Sequence, residues 1–265
     1  MSDWNRGAAG YGTGVARTSA AEVDQGLRAF MLGVYNHMTT GLGISGLVAL
    51  ALSQLAVADG ASGAVARAGN VYLTQFGYYL YATPLKWVLI LAPLAFIFIA
   101  GSRMMSMSPG AARATFWAFA AVMGASLSTI FLVYTSASIV RVFFITAAAF
   151  GALSLYGYTT KKSLSGWGSF LMMGVVGIFI ACLVNLGLAA FGIHFAALTF
   201  AISIIGVLIF AGLTAYETQQ LKEMYLYGNY GPDDAARVSV FGALNLYLDF
   251  INMFQFLLVL IGDRR

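Results

Sequence analysis

The feature that most constrains this chain is a series of long apolar segments that carry almost no charge. There are seven of them, at roughly 29–57, 82–102, 114–134, 139–158, 169–191, 195–216 and 240–261. Each is close to the ~20 residues with which an α-helix crosses the hydrocarbon core of a bilayer. Strands of a membrane barrel would instead alternate in polarity over ~10 residues. The sequence therefore predicts an all-α integral membrane protein with about seven transmembrane helices.

Composition supports this fold class and narrows the function. Of the 265 residues, 60% are hydrophobic and 9% are charged, whereas soluble domains carry about 25% charged residues. The single cysteine, Cys182, excludes an intrachain disulfide and a cysteine-rich metal site. HExxH, GxSxG and P-loop motifs are absent from the sequence. We predict a protein that is not an enzyme and has no resident cofactor, and the basic residues form no stripe that would suggest a nucleic-acid partner.

The distribution of charge predicts an orientation in the membrane. Residues 1–27 are rich in Gly, Ala, Ser and charge, which predicts a flexible cytoplasmic tail ahead of a seven-helix transmembrane domain at 28–265. Basic residues follow segments two, four and six, so the positive-inside rule places those connections and the N-terminus in the cytoplasm of a bacterial inner membrane. Seven full crossings would put the C-terminus on the other side. If the last helix were re-entrant, the C-terminus would instead lie in the cytoplasm.

Two acidic residues depart from the general distribution of charge. Of ten acids, eight lie in the tail, in predicted loops or at segment ends, but Glu217 ends segment six and Asp249 lies well inside segment seven. A charge at the bilayer centre costs ~2.5–3.5 kcal/mol on insertion scales, so acids in such places usually face a partner or a cavity. These two residues are the candidate functional groups.

Their spacing suggests that the two acids meet. The connection between segments six and seven centres near Asp233, and Glu217 and Asp249 each lie 16 residues from it. In an antiparallel hairpin such positions have similar depth. Two adjacent carboxyl groups cannot both ionise cheaply, so the pair would titrate as one unit. When both are charged, they would form an oxygen site suited to Ca²⁺.

Segment seven also carries a polar stripe. Asn245, Asp249 and Asn252 are spaced i, i+4 and i+7 and therefore share one helix face. We predict that this face is turned toward other helices or water. The alternative is that the stripe is only a seam of interhelical hydrogen bonds, which is a structural role.

Three stretches of the sequence resemble the Bax inhibitor-1 family, also called the transmembrane Bax-inhibitor-motif family. They are GYTTKKSLS at 157–165, LTAYETQ at 213–219 and LYLDFIN at 246–252. The third is highly specific to the family. The likeness runs from about Arg28 to the end of the chain and leaves the tail unexplained.

The resemblance implies more than the residues do by themselves. It implies a fold with the last helix at the centre and a pH-dependent calcium leak across the membrane. In bacterial members two acids in helices six and seven form the sensor, and an arginine near the end of helix two latches it. Asp249 matches one acid, Glu217 stands where the family usually has aspartate, and Arg103 matches the latch by approximate position.

These observations lead to one main functional prediction and two rivals. The main prediction is a calcium-permeable leak channel or slow transporter in which Glu217 and Asp249 are gate, pH sensor and possible Ca²⁺ ligands. The first rival is a regulatory membrane protein that conducts nothing and binds a membrane protease or a stress or cell-death factor, with its tail as the candidate recognition segment. The second is an intramembrane aspartyl hydrolase. Such enzymes use two aspartates in Gly-containing motifs, and neither acidic stretch of this chain fits those motifs.

Overall fold

The chain folds into a bundle of long helices with one small hairpin. The structure, a computed structural model, describes residues 20–265 with the exception of 59, 194 and 229. The long helices are α1 (Ala20–Ala56), α2 (Leu85–Phe96), α3 (Pro109–Leu127), α4 (Ser136–Thr159), α5 (Gly168–Ala190), α6 (Ala196–Tyr227) and α7 (Pro232–Ile261). Two short strands, β1 (Ala66–Ala68) and β2 (Val71–Leu73), pair antiparallel after α1. The helical architecture confirms the predicted fold class.

Among the described residues, six of the long helices are long and apolar enough to cross a membrane, and a broken pair of helices makes a seventh if its two parts count as one span. This pair consists of residues 75–82 and 85–101, which meet at an angle of 62°. The break falls at Pro84, where the ring removes a backbone donor. Residues 97–101, which extend α2, are π-helical. The second span is therefore the irregular one.

Local sequence explains where several helices begin. The Ser108 hydroxyl accepts a hydrogen bond from the Ala111 amide at the start of α3, and Thr135 caps α4 in the same way through Ser138. Such caps satisfy amides that have no partner inside the helix. Pro232 opens α7, where its fixed φ suits the first helical turn.

Helix α7 lies at the centre of the bundle. It packs against α1, α3, α4 and α6, whereas α5 packs mainly on α6 at the periphery. Half of the most apolar window of α7 is buried, compared with 11% for α5. A helix that is surrounded by protein can hold polar groups that lipid would not tolerate. The central position of the last helix therefore explains why α7 can carry an acid.

The N-terminal boundary differs from the one drawn from the sequence. Residues 20–27, which we assigned to the flexible tail, form the first turns of α1. Leu27 in this part of α1 is buried, so tertiary packing stabilises a stretch that hydropathy alone assigns to the tail. Residues 1–19 of the predicted tail lie outside the described residues.

The C-terminus lies at the same end of the bundle as the junction between α3 and α4. The Arg265 amide donates to the Val133 carbonyl at 2.9 Å, and Asp263 forms an ion pair with Arg141 at 2.8 Å. Helix α7 is continuous over 30 residues, a length of about 45 Å. It therefore runs along the whole bundle without a break, which favours a full crossing over a re-entrant helix.

Candidate functional site: a buried acid pair

The hairpin of α6 and α7 brings Glu217 and Asp249 together. Asp249 is only 3% exposed, Glu217 is partly buried, and the two carboxyl groups interact electrostatically. The turn between the helices contains Gly228 and Gly231, so its centre lies a few residues before Asp233 and nearer to Glu217 than to Asp249. The electrostatic interaction between the two carboxyl groups, and not the symmetry of the hairpin, shows that they lie close together.

Each acid has one oxygen that lacks a partner. Glu217 Oε2 and Asp249 Oδ2 are buried and accept no hydrogen bond from any residue that the structure describes. A buried carboxylate oxygen without a donor is costly because it has lost its water and gained nothing in return. A proton held by the pair or a cation bound between the two groups would remove that cost. The site is thus chemically suited to bind either one.

The donor set fits a hard cation but does not complete its coordination. Ca²⁺ takes about six to eight oxygen ligands, and two carboxylates supply at most four. Within the described ranges there is no cluster of three or more His, Cys, Asp or Glu side chains that could hold a metal ion. Backbone carbonyls and water would have to provide the remaining ligands, which suits a transient ion better than a resident one.

The structure does not bring Arg103 to the acid pair. Its side chain is exposed at the end of the short helix Ser102–Met104, and neither ion pair between described residues includes it. Long basic side chains at membrane ends extend toward water, which explains this position. Arg237 is the arginine that joins the second span to α7, because it pairs with Asp234 at 2.6 Å and donates to the Met105 carbonyl at 3.5 Å.

The two asparagines of the polar stripe do not form an interhelical seam. Asn252 donates to the Leu248 carbonyl of its own helix at 2.8 Å. Asn245 is partly buried, and no hydrogen bond of its side chain is present between the residues that the structure describes. A seam of interhelical hydrogen bonds therefore does not account for Asp249.

Gln219 forms a clamp that sequence reasoning did not assign. Its amide oxygen accepts from the Leu164 amide at 2.6 Å, and its amide nitrogen donates to the Lys162 carbonyl at 2.9 Å. One side chain of α6 thus satisfies two backbone groups in the connection between α4 and α5. Because Gln219 lies two residues after Glu217, the clamp fixes this connection next to the part of α6 that carries the acid. The motif LTAYETQ contained the residue, but its partner is 55 positions away.

Replacing Gln219 with alanine should loosen this connection. Two partly buried backbone groups would lose their partners, at up to about 1–3 kcal/mol for each group that water does not reach. Hydrogen exchange of the Leu164 amide should therefore become faster in Gln219→Ala than in the wild type. The neighbouring Gln220, which is exposed, provides the matched control Gln220→Ala, and equal exchange rates in the two variants would contradict the clamp.

Hydroxyl groups make further polar contacts between the central helices. The Ser45 and Tyr247 hydroxyls lie 2.6 Å apart, and Ser45 also donates to the Ala120 carbonyl of α3. On the other side of α6, Thr218 hydrogen-bonds to Ser154 at 3.5 Å, and Tyr35 interacts with both. These contacts join α1, α3, α4, α6 and α7 around the acids. For the Thr218 contact, the available sequence signal was the i, i+4 spacing of Thr214 and Thr218 in α6.

Fold and site together define a class: a helical integral membrane protein with an acid pair on its two last helices. The profile of the family described as "Inhibitor of apoptosis-promoting Bax1" matches residues 27–265. The chain belongs to this Bax-inhibitor family, which confirms the resemblance found in the three motifs.

Relatives of nearly the same length support the assignment. An uncharacterised protein of Caulobacter vibrioides is 45% identical over the full length of both chains. The inner membrane protein YbhL of Escherichia coli K12 is 40% identical over 91% of this chain and 94% of its own. Protein RP147 of Rickettsia prowazekii is 38% identical over 91% and 92%. The likeness therefore includes the whole helical bundle.

Proposed function

We propose that the protein is a pH-dependent, calcium-permeable leak channel or slow transporter of the bacterial inner membrane, with its N-terminus in the cytoplasm. The observation that carries the proposal is the buried pair Glu217 and Asp249, each with an oxygen that has no hydrogen-bond donor among the described residues. The basic connections and the likeness to an inner membrane protein support the location.

The proposed mechanism has two states. With both carboxylates deprotonated, the pair holds a cation and the bundle stays closed around α7. Between Asp249 and the C-terminal end of α7, the side chains of Met253, Phe254 and Leu258 are buried. These apolar side chains form the barrier to ions. Protonation removes the charge that holds the cation, and α7 is then free to move. Acid therefore favours the open state, and Arg103 has no part in the closed arrangement described here.

Calcium flux tests the proposal directly. Purified protein in proteoliposomes should pass Ca²⁺ at a rate that changes between pH 5 and pH 8, with more flux at the acidic end. Glu217→Gln should remove this dependence because glutamine keeps the shape and cannot titrate. Glu217→Asp keeps a carboxyl group and should retain the dependence, which separates loss of charge from loss of packing.

The rival reading is a regulatory protein that binds a membrane protease or a stress factor and conducts nothing. It predicts no flux at any pH from protein that is folded and correctly inserted. Under this reading, deletion of residues 2–19 would remove the cellular effect and the copurifying protease. A pH-dependent flux that Glu217→Gln abolishes would exclude it.

A further inference from the structure

A large cavity separates α1 from α4. Both helices pack on α6 and α7, and between them they leave a space of about 640 Å³ whose inner wall includes Phe250 of α7. This volume is in the range of about 300–1,000 Å³ found for small-molecule sites. At its edges Leu32 is 52% exposed and Leu155 is 63% exposed. In a membrane-spanning bundle, exposed leucines face lipid, so the cavity opens sideways into the bilayer.

One end of the cavity is basic. Arg28 lines it, is exposed, and belongs to neither ion pair between described residues. At the same end, Lys222 donates to the Tyr158 carbonyl at 2.8 Å and lies over the Tyr158 ring, which also lines the cavity. Lys161 and Lys162 follow directly after α4. The cavity thus combines an apolar wall with cations at the membrane surface.

We propose that this cavity binds an anionic phospholipid of the surrounding bilayer, with an acyl chain between α1 and α4 and the phosphate against Arg28. Basic residues near a membrane surface each contribute about 1 kcal/mol toward anionic lipids, and arginine pairs with phosphate through two parallel hydrogen bonds. The acyl chain fills an apolar gap that would otherwise lose its packing contacts.

Lipid binding in this cavity does not require ion conduction, but the cavity is adjacent to the acid pair. Ser154 in its wall hydrogen-bonds to Thr218, which follows Glu217, and Phe250 follows Asp249. A bound chain would therefore contact α4 and α7 directly beside both acids. A lipid in this position would restrict the movement of those helices.

Two pairs of matched variants test the site. A Cβ atom at Gly151 on the cavity wall meets no other atom within 4 Å, and the same is true of Gly177 on α5. Gly151→Phe should fill the cavity without disturbing the fold, and Gly177→Phe is its control. Arg28→Gln removes the cation at the opening, and Arg113→Gln removes an exposed arginine of α3 that does not line the cavity.

The measurement is native mass spectrometry of the full chain titrated with phosphatidylglycerol and with phosphatidylcholine of the same acyl composition. The wild type should retain phosphatidylglycerol more tightly. Gly151→Phe should weaken both lipids by about tenfold, because the phenyl ring takes the space of the acyl chain and removes its packing contacts. Arg28→Gln should weaken phosphatidylglycerol alone, by about fivefold. Both control variants should behave as the wild type.

Three results would overturn the proposal. The first is equal lipid retention by Gly151→Phe and Gly177→Phe. The second is a photoreactive acyl chain that labels α5 instead of α1 and α4. The third is evidence for an occupant other than lipid. A gain in lipid affinity on deletion of residues 2–19 would assign the cavity to that segment. A dimer that dissociates in Gly151→Phe would assign the cavity to a second copy of the chain.

Discussion

Replacing Asp249 with asparagine is expected to abolish the pH dependence of calcium flux. Wild-type flux should change by up to about tenfold per pH unit if one proton controls the two states. Asparagine cannot take up that proton and does not carry the negative charge. Its flux should therefore stay at the acidic level from pH 5 to pH 8. The measurement is Ca²⁺ uptake by proteoliposomes that contain equal amounts of inserted protein.

The variant should fold, because Asp249 Oδ2 has no hydrogen-bond donor among the described residues and removal of an unpaired buried charge relieves a desolvation cost. Asp24→Asn is the matched control, since Asp24 is an exposed carboxylate on α1 and its loss should leave the pH profile unchanged. A wild-type pH profile in Asp249→Asn would eliminate the gating mechanism even if the protein conducts calcium.

The second large effect is expected at the crossing of α4 and α6. Gly157 packs directly on the backbone of Ala215, and a Cβ atom at this position would overlap the Ala215 carbonyl. Gly157→Ala must therefore push the two helices apart. Small residues allow this close approach in membranes, and overpacking typically costs about 1–3 kcal/mol. We expect the thermal unfolding midpoint to fall by several degrees.

Gly151 on the same helix provides the control for Gly157. An alanine there meets open space, and alanine is a better helix former than glycine by about 1 kcal/mol. Gly151→Ala should leave the unfolding midpoint unchanged or raise it. If both variants unfold at the same temperature, the close contact between α4 and α6 does not contribute to stability.

Much of the architecture could be predicted from the sequence because lipid imposes strict rules. Backbone groups in the hydrocarbon core must be paired within the segment, so long apolar runs can only become helices. The start of α7 at Pro232 lies eight residues before its apolar run, because hydropathy does not record a polar helical turn. The break at Pro84 was not predicted either, because hydropathy does not record the direction of the backbone on the two sides of a proline.

Some residues of the candidate site could be predicted from the sequence and others could not. The rarity of acids inside apolar segments identified Glu217 and Asp249, and their spacing predicted that they meet, although the turn lies a few residues earlier than the sequence suggested. Arg103 was selected by position along the chain alone, and the structure leaves it exposed. The clamp of Gln219 and the contact of Tyr247 with Ser45 join residues 55 to 202 positions apart, and no local pattern encodes such distances.

The sequence by itself determined the membrane solvent, the helical class, the family and the two acids, because each depends on composition or on spacing along one helix. Only the tertiary structure decided which side chains face each other. In the structure Arg103 forms no ion pair with the two acids, the asparagines form no interhelical seam, and a cavity lies between α1 and α4. The physical reason is that helix rotation and packing depend on contacts between distant segments, which a single helical period does not specify.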